Sequence, residues 1–166
     1  VVAVVGEILI KFHTSANNNL VGILENEGLE VVLPGLLNFL YYCLYNTTYH
    51  EKYFGDRKYK TVISNIGIKF LESYQSVANK ALKNSKRFTP DEDIRKLGSM
   101  TESLVSLGNQ TGEGWLLAAE VLESMENGIQ NFVFAQPFGC LPNHIIAKGI
   151  VKEIKKKSPF VNIVSI

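Results

Sequence analysis

The hydrophobic positions of this chain follow two rhythms: continuous β-branched runs toward both ends, and three- and four-residue steps between them. Residues 1–10 (VVAVVGEILI) form an almost unbroken apolar run, which predicts a strand buried on both faces. The segment Thr14-Ser15-Ala16-Asn17 then offers capping side chains. Leu20, Ile23 and Leu24 follow at helical spacing, and Gly28 suits the helix end. Residues 30–34 (EVVLP) read as a second short strand, which completes a βαβ unit with an expected right-handed crossover.

The middle of the chain predicts helices. Residues 36–45 (LLNFLYYCLY) are apolar almost all round, as in a helix buried on several sides, and Gly55-Asp56 breaks the pattern. Over residues 58–85, Ile63, Ile66, Phe70, Tyr74, Val77 and Ala81 recur at helical steps, predicting one long amphipathic helix. Thr89-Pro90-Asp91-Glu92 reads as a helix start, with Thr89 as cap, Pro90 in the first turn and Glu92 closing a capping box.

Strand and helix alternate again afterwards. Trp115, Ala118, Ala119, Leu122 and Met125 mark a helix face that Asn127-Gly128 ends, and residues 131–136 (NFVFAQ) predict a third strand. Residues 142–157 predict a helix with Ile145, Ile146, Gly149, Ile150 and Ile154 inward, and residues 162–166 open a fourth strand. The fold class expected is α/β: an open, mostly parallel sheet of about four strands flanked by helices. A helical insertion over residues 36–110 separates strands two and three, all within a single 1–166 domain. Because both ends fall inside strand-like runs, the chain is expected to be a fragment of a longer polypeptide.

Composition narrows the function classes. With 46% apolar and 20% charged residues the chain is globular in character, and its net charge of +1 gives no field for nucleic acid or an anionic membrane. No apolar run approaches the roughly 20 residues that span a bilayer. Two cysteines, Cys43 and Cys140, are too few for a disulfide framework, which points to the reducing cytoplasm. The cluster Lys155-Lys156-Lys157 complements the dipole at a helix end.

Ligands of open parallel sheets bind beyond the carboxyl ends of the strands. Three loops should gather there: residues 7–19, residues 106–115 (SLGNQTGEGW), and the approach to the last helix, "FAQPFGCLPNH". Glu7 and Glu113 are the carboxylates best placed at that edge. His13, Asn17, Asn18, Asn109, Gln110, Thr111, Gly112, Gly139 and Asn143 supply amides, backbone donors and an imidazole for a ligand. Asn17 and its neighbours serve equally well as helix caps, and Glu113 equally well as a first-turn acid. His144 either orients or protonates a bound group, as Glu7 would, or caps its turn. Cys140 precedes a helix N-terminus, where unpaired N–H groups favour thiolate. It reads as a nucleophile, a redox thiol or a metal ligand, or as a small residue packing the turn. Cys43, in its apolar helix, reads as a buried structural thiol, and His50 as a surface residue. P-loop, GxGxxG, GxSxG, HExxH and CxxC patterns are absent.

The blocks "VGEILIKFHTSANNNLVGILENEGLEVVLPGLLNFLYYCLYN", "SLGNQTGEGWLLAAEV" and "QPFGCLPNHIIAKG" resemble those of one family. It is the group of large bacterial proteins called CoA-substrate-specific enzyme activases, related to the 2-hydroxyacyl-CoA dehydratases. The resemblance implies a dehydratase-like region, joined in the same polypeptide to actin-like ATPase modules that would hold ATP outside this segment. It also implies a [4Fe–4S] cluster in the full-length assembly, with Cys140 as one ligand, serving ATP-driven electron transfer or 2-hydroxyacyl-CoA dehydration. A cluster takes about three or four thiolates, so the remaining ligands would come from other domains or a dehydratase subunit. The isolated segment is expected to hold no cluster. Two other readings stand beside this one: a non-catalytic domain holding a CoA-type anion at its strand-end loops, and a scaffold that has lost activity.

Overall fold

The computed structural model describes residues 1–85 and 87–166. The expected α/β architecture is present. Strands β1 (Val2–Gly6), β2 (Val31–Val32), β3 (Asn131–Ala135) and β4 (Asn162–Ser165) form one parallel sheet in the order β2-β1-β3-β4. Helices α1 (Ile8–Phe12) and α2 (Leu20–Asn26) link β1 to β2. Helices α3 (Leu36–Phe54), α4 (Lys58–Asn84), α5 (Ile94–Thr101) and α6 (Leu116–Glu126) lie between β2 and β3. A π-helical turn, Asn143–Ala147, runs into α7 (Lys148–Lys157) and leads to β4. Among the described residues no helix is long and apolar enough to cross a membrane.

The chain divides into two compact units, Val1–Pro34 with Leu97–Ile166, and Gly35–Lys96. In the first, the unbroken apolar runs are explained by burial on both faces of the sheet. Ala3 and Val5 of β1, with Phe132 and Phe134 of β3, pack against Leu117, Ala118 and Val121 of α6 and Ile146, Ile150 and Ile154 toward α7. The alternate residues, Val2, Val4, Val133 and Ala135, pack with Leu20 of α2 on the other face. Strands β1 and β3 therefore have no polar side to show.

Strand β1 stops sooner than its composition predicts. The run over residues 1–10 breaks at Gly6, and Ile8–Phe12 is helical. The Glu7 carboxylate caps that helix by accepting from Ile10 N at 2.8 Å. The next helix is capped as expected, by Asn17 Oδ1 accepting from Leu20 N at 3.0 Å, and Gly28 follows it with φ +79°.

In the second unit α3 packs on α4, and Gly55 ends α3 in a left-handed conformation. The residues α4 buries are Thr61, Ser64 and Ile68. Gly67 lies so near Leu44 that an added Cβ would stand 3.3 Å from Leu44 Cδ1. Small residues thus let the two helices approach, and the apolar stripe expected along α4 is not the face it packs with. Pro90 and Asp91 precede the next helix without starting it. Helix α5 begins at Ile94, where Asp93 Oδ1 accepts from Arg95 N at 2.7 Å. Toward the end of the chain, Ile146, Ile150 and Ile154 are buried as expected, but Ile145 and Gly149 are exposed, because the wider π-helical turn shifts the face they would share.

Candidate functional site

In this strand order the connections leave β1 toward β2 and β3 toward β4, so the switch point lies between the carboxyl ends of β1 and β3. Open α/β sheets bind ligands in the crevice that such a reversal leaves. Gly6 and Ala135 are the last register pair there, and the chain crosses over them with Glu7 N donating to Ala135 O at 3.1 Å.

The loop before α6 is drawn to this edge by its acid. Glu113 is buried, and its Oε1 accepts from Ile8 N at 3.0 Å, across 105 positions of sequence. Two carboxylates, Glu7 and Glu113, thus serve the start of α1, the second from another loop. Trp115 N donates to Asn109 O at 2.8 Å and closes the loop, while Gly112 and Gly114 take positive φ values of 57° and 44°. A Cβ on Gly112 would meet Pro142 Cγ at 3.0 Å, which brings this loop against the start of the last helical segment.

Between these two loops lies a crevice of about 230 Å³ lined by Gly108, Asn109, Gln110, Thr111, Pro142 and Ile145, among others. Leu141 and Ile145 form an exposed apolar wall, with Phe138 fully exposed nearby in sequence. No acidic or basic side chain belongs to the lining, so polarity comes from amides, Thr111 and peptide groups.

Cys140 stands at the entry to the last helical segment. Its carbonyl accepts from His144 N at 3.0 Å, and Gly139 before it turns the chain with φ +76°. The sulfur is half-buried and accepts from Asn143 Nδ2 at 3.1 Å. Asn143 is fully buried, and its Oδ1 finds no hydrogen-bond partner among the described residues. His144 is half-buried, its backbone fixed by the helix.

The first loop is spent differently. His13 is exposed, and its Nδ1 accepts from Ala16 N at 3.3 Å. Asn17 Nδ2 donates to Ile10 O at 2.7 Å while its oxygen caps α2, so both ends of that amide are used locally. Asn18 is exposed in a left-handed turn. The structure thus brings Asn109, Gln110, Thr111 and Gly112 together with the approach to the last helix, and gives Glu7, His13 and Asn17 local structural bonds.

The expected buried setting of Cys43 is not found. It is exposed on α3, where partial desolvation pushes its thiol pKa up. Among the described residues no group of three or more His, Cys, Asp or Glu side chains is gathered closely enough to hold a metal ion. Among the described residues the sulfur donors around Cys140 amount to its own side chain, which does not fit a [4Fe–4S] cluster without ligands from elsewhere.

Sequence reasoning also missed the strongest electrostatic feature of this unit. Lys11 of α1 and Glu120 of α6 form an ion pair at 2.7 Å, both side chains buried. A signal was present in Glu120, the one charge within the apolar run of residues 115–122. Within residues 35–96, a cavity of about 280 Å³ is acidic, lined by Glu72, Asp91, Glu92 and Asp93. Burial first, then Glu72, Asp91 and Asp93, pushes the Tyr41 hydroxyl above its ordinary pKa. Its acids are already engaged: Gln75 donates to Asp91, Arg95 pairs with Glu72 and Asp93, and Lys96 with Glu92.

Set against known proteins, the chain matches no family model, no curated protein and no solved structure.

Proposed function

We propose that the unit formed by residues 1–34 and 97–166 is a ligand-binding α/β domain that holds a CoA-type anion at its strand-end crevice. The observation supporting this is the 230 Å³ crevice beside the β1/β3 switch point, between the 108–114 loop and the helix opening at Leu141. Peptide N–H groups at a helix start favour an anionic group. The exposed apolar wall of Leu141 and Ile145 suits the less polar remainder of such a ligand. The crevice is too small for a whole cofactor and accommodates one end of it. In this reading the domain works in the cytoplasm, as part of a larger polypeptide of the activase and dehydratase kind.

Calorimetry of the chain with CoA checks the reading. Heat with one-site stoichiometry is expected, and Leu141→Glu should weaken binding at least tenfold. A carboxylate there repels the anion yet suits the first turn of a helix, so the melting temperature should hold. Absence of heat with CoA, acetyl-CoA and inorganic phosphate overturns the reading.

The electron-transfer role implied by the family resemblance rests, within this chain, on Cys140 alone. Its test is the iron content of full-length protein prepared anaerobically. The Cys140→Ala form should lose iron; unchanged content removes that role.

A further inference from the structure

Helix α4 turns its apolar stripe outward. Tyr59, Ile63, Ile66, Phe70, Tyr74 and Val77 are between 54% and 82% exposed, and Ala81 is exposed with them. The residues α4 buries, Thr61, Ser64 and Ile68, lie on the far side of the helix, so the stripe is left without a partner among the described residues. The sequence interval between Ile63, Ile66 and Phe70 repeats eleven residues later as Tyr74, Val77 and Ala81. An eleven-residue repeat stays close to the natural helical period, so the stripe runs nearly straight along the helix.

The spacing has a second property. From Tyr59 to Ala81 the seven residues of the stripe follow one another at steps of 4, 3, 4, 4, 3 and 4, which read the same from either end. Phe70 is the centre. Turned end for end, the helix presents Tyr59 where Ala81 was, Ile63 where Val77 was and Ile66 where Tyr74 was. A closed two-fold interface requires such self-complementarity. Seven side chains at these exposures offer roughly 900 Å² per copy, the scale of a standard stable interface, about 800 Å² per partner.

We infer that α4 is the pairing surface of a homodimer, in which two copies of this chain lie antiparallel along residues 59–81 with Phe70 on the two-fold axis. Charge sets the conditions under which it forms. Helix α4 carries Lys58, Lys60, Lys69, Lys80 and Lys83 against Glu72 alone, and Glu72 is engaged by Arg95. Lys69, Lys80 and Lys83 follow one margin of the stripe, and an antiparallel pair sets like margins side by side. The two Lys69 side chains then flank the axis and repel. Salt screens that repulsion within about 8–10 Å, so the dimer tightens as salt rises. An acidic partner protein or an anionic membrane would be released by the same salt.

Sedimentation velocity of the intact chain across micromolar concentrations, in 0.1 and 0.5 M NaCl (Debye lengths of about 10 and 4 Å), tests the proposal. A dimer that tightens at the higher salt is expected. Phe70→Glu should weaken it at least a hundredfold with helix content unchanged by circular dichroism, since residue 70 is exposed in the single chain. Register is read by disulfide trapping in a Cys43→Ser, Cys140→Ser background. Ile63→Cys mixed with Val77→Cys should cross-link, whereas Ile63→Cys alone should not. A monomer at every concentration and both salts overturns the inference. So does self-cross-linking of Ile63→Cys, or binding to phosphatidylserine vesicles that is lost in salt.

Discussion

Glu120→Ala is expected to cost the α/β unit about 3–5 kcal/mol, while the double replacement Lys11→Met with Glu120→Leu returns most of that loss. Lys11 and Glu120 are both almost wholly removed from water and stand 2.7 Å apart. Deleting the carboxylate leaves an ammonium buried without its counter-charge, and that penalty exceeds what the pair itself contributes. Replacing both partners with apolar groups of similar volume removes the penalty along with the attraction. An exposed pair in the same chain sets the contrast. Lys60–Asp56 at 3.1 Å lies in solvent, and breaking it should cost under about 1 kcal/mol. Urea denaturation followed through Trp115, the single tryptophan and a buried residue of this unit, reads the result. Losses that simply add for the two single variants would show the pair to be uncoupled and refute this account.

What was legible in advance divides along the range of the interactions. Apolar runs announced β1 and β3 and the 3.6-residue period announced α6 and α7, because burial on both faces or on one stripe leaves its mark locally. The period announced α4 as well, although its stripe is exposed. The end of β1 was not legible. Ile8 and Ile10 continue the β-branched pattern, but Glu7 caps a helix there and Glu113 supports it from 105 positions away. The same distance hid the Lys11–Glu120 pair. Thr89 to Glu92 carries a capping pattern that tertiary bonds override, since Asp91 accepts from Gln75 and Asp93 takes over the cap. At the candidate site, the 109–112 segment and the approach to the last helix were foreseen together. Sequence could not tell that His13 and Asn17 would spend their polar atoms on their own loop. Cys43 was misplaced because α3 is apolar nearly all round, so its composition does not say which side faces inward. The buried residues are Asn38, Tyr41 and Tyr42.

Gly6→Ala should destabilise the same unit by about 3 kcal/mol or more, the upper end of what inserting a methyl into packed structure costs. The reason is close approach added to backbone conformation, since Gly6 already has φ +154°. A Cβ on Gly6 would stand 2.8 Å from the carbonyl carbon of Ala135 and 3.0 Å from its nitrogen, and nearer still to its oxygen. Those atoms are backbone in the neighbouring strand and cannot rotate aside. The carbonyl oxygen is also the acceptor for Glu7 N, the bond that carries the chain from β1 into α1. Gly128 supplies the control. It has φ +83° and open space around its Cα, so Gly128→Ala bears only left-handed strain, roughly 1–2 kcal/mol. If close approach is what matters at Gly6, its variant loses clearly more than the control in urea denaturation. Equal losses at the two glycines would mean that the contact between β1 and β3 yields.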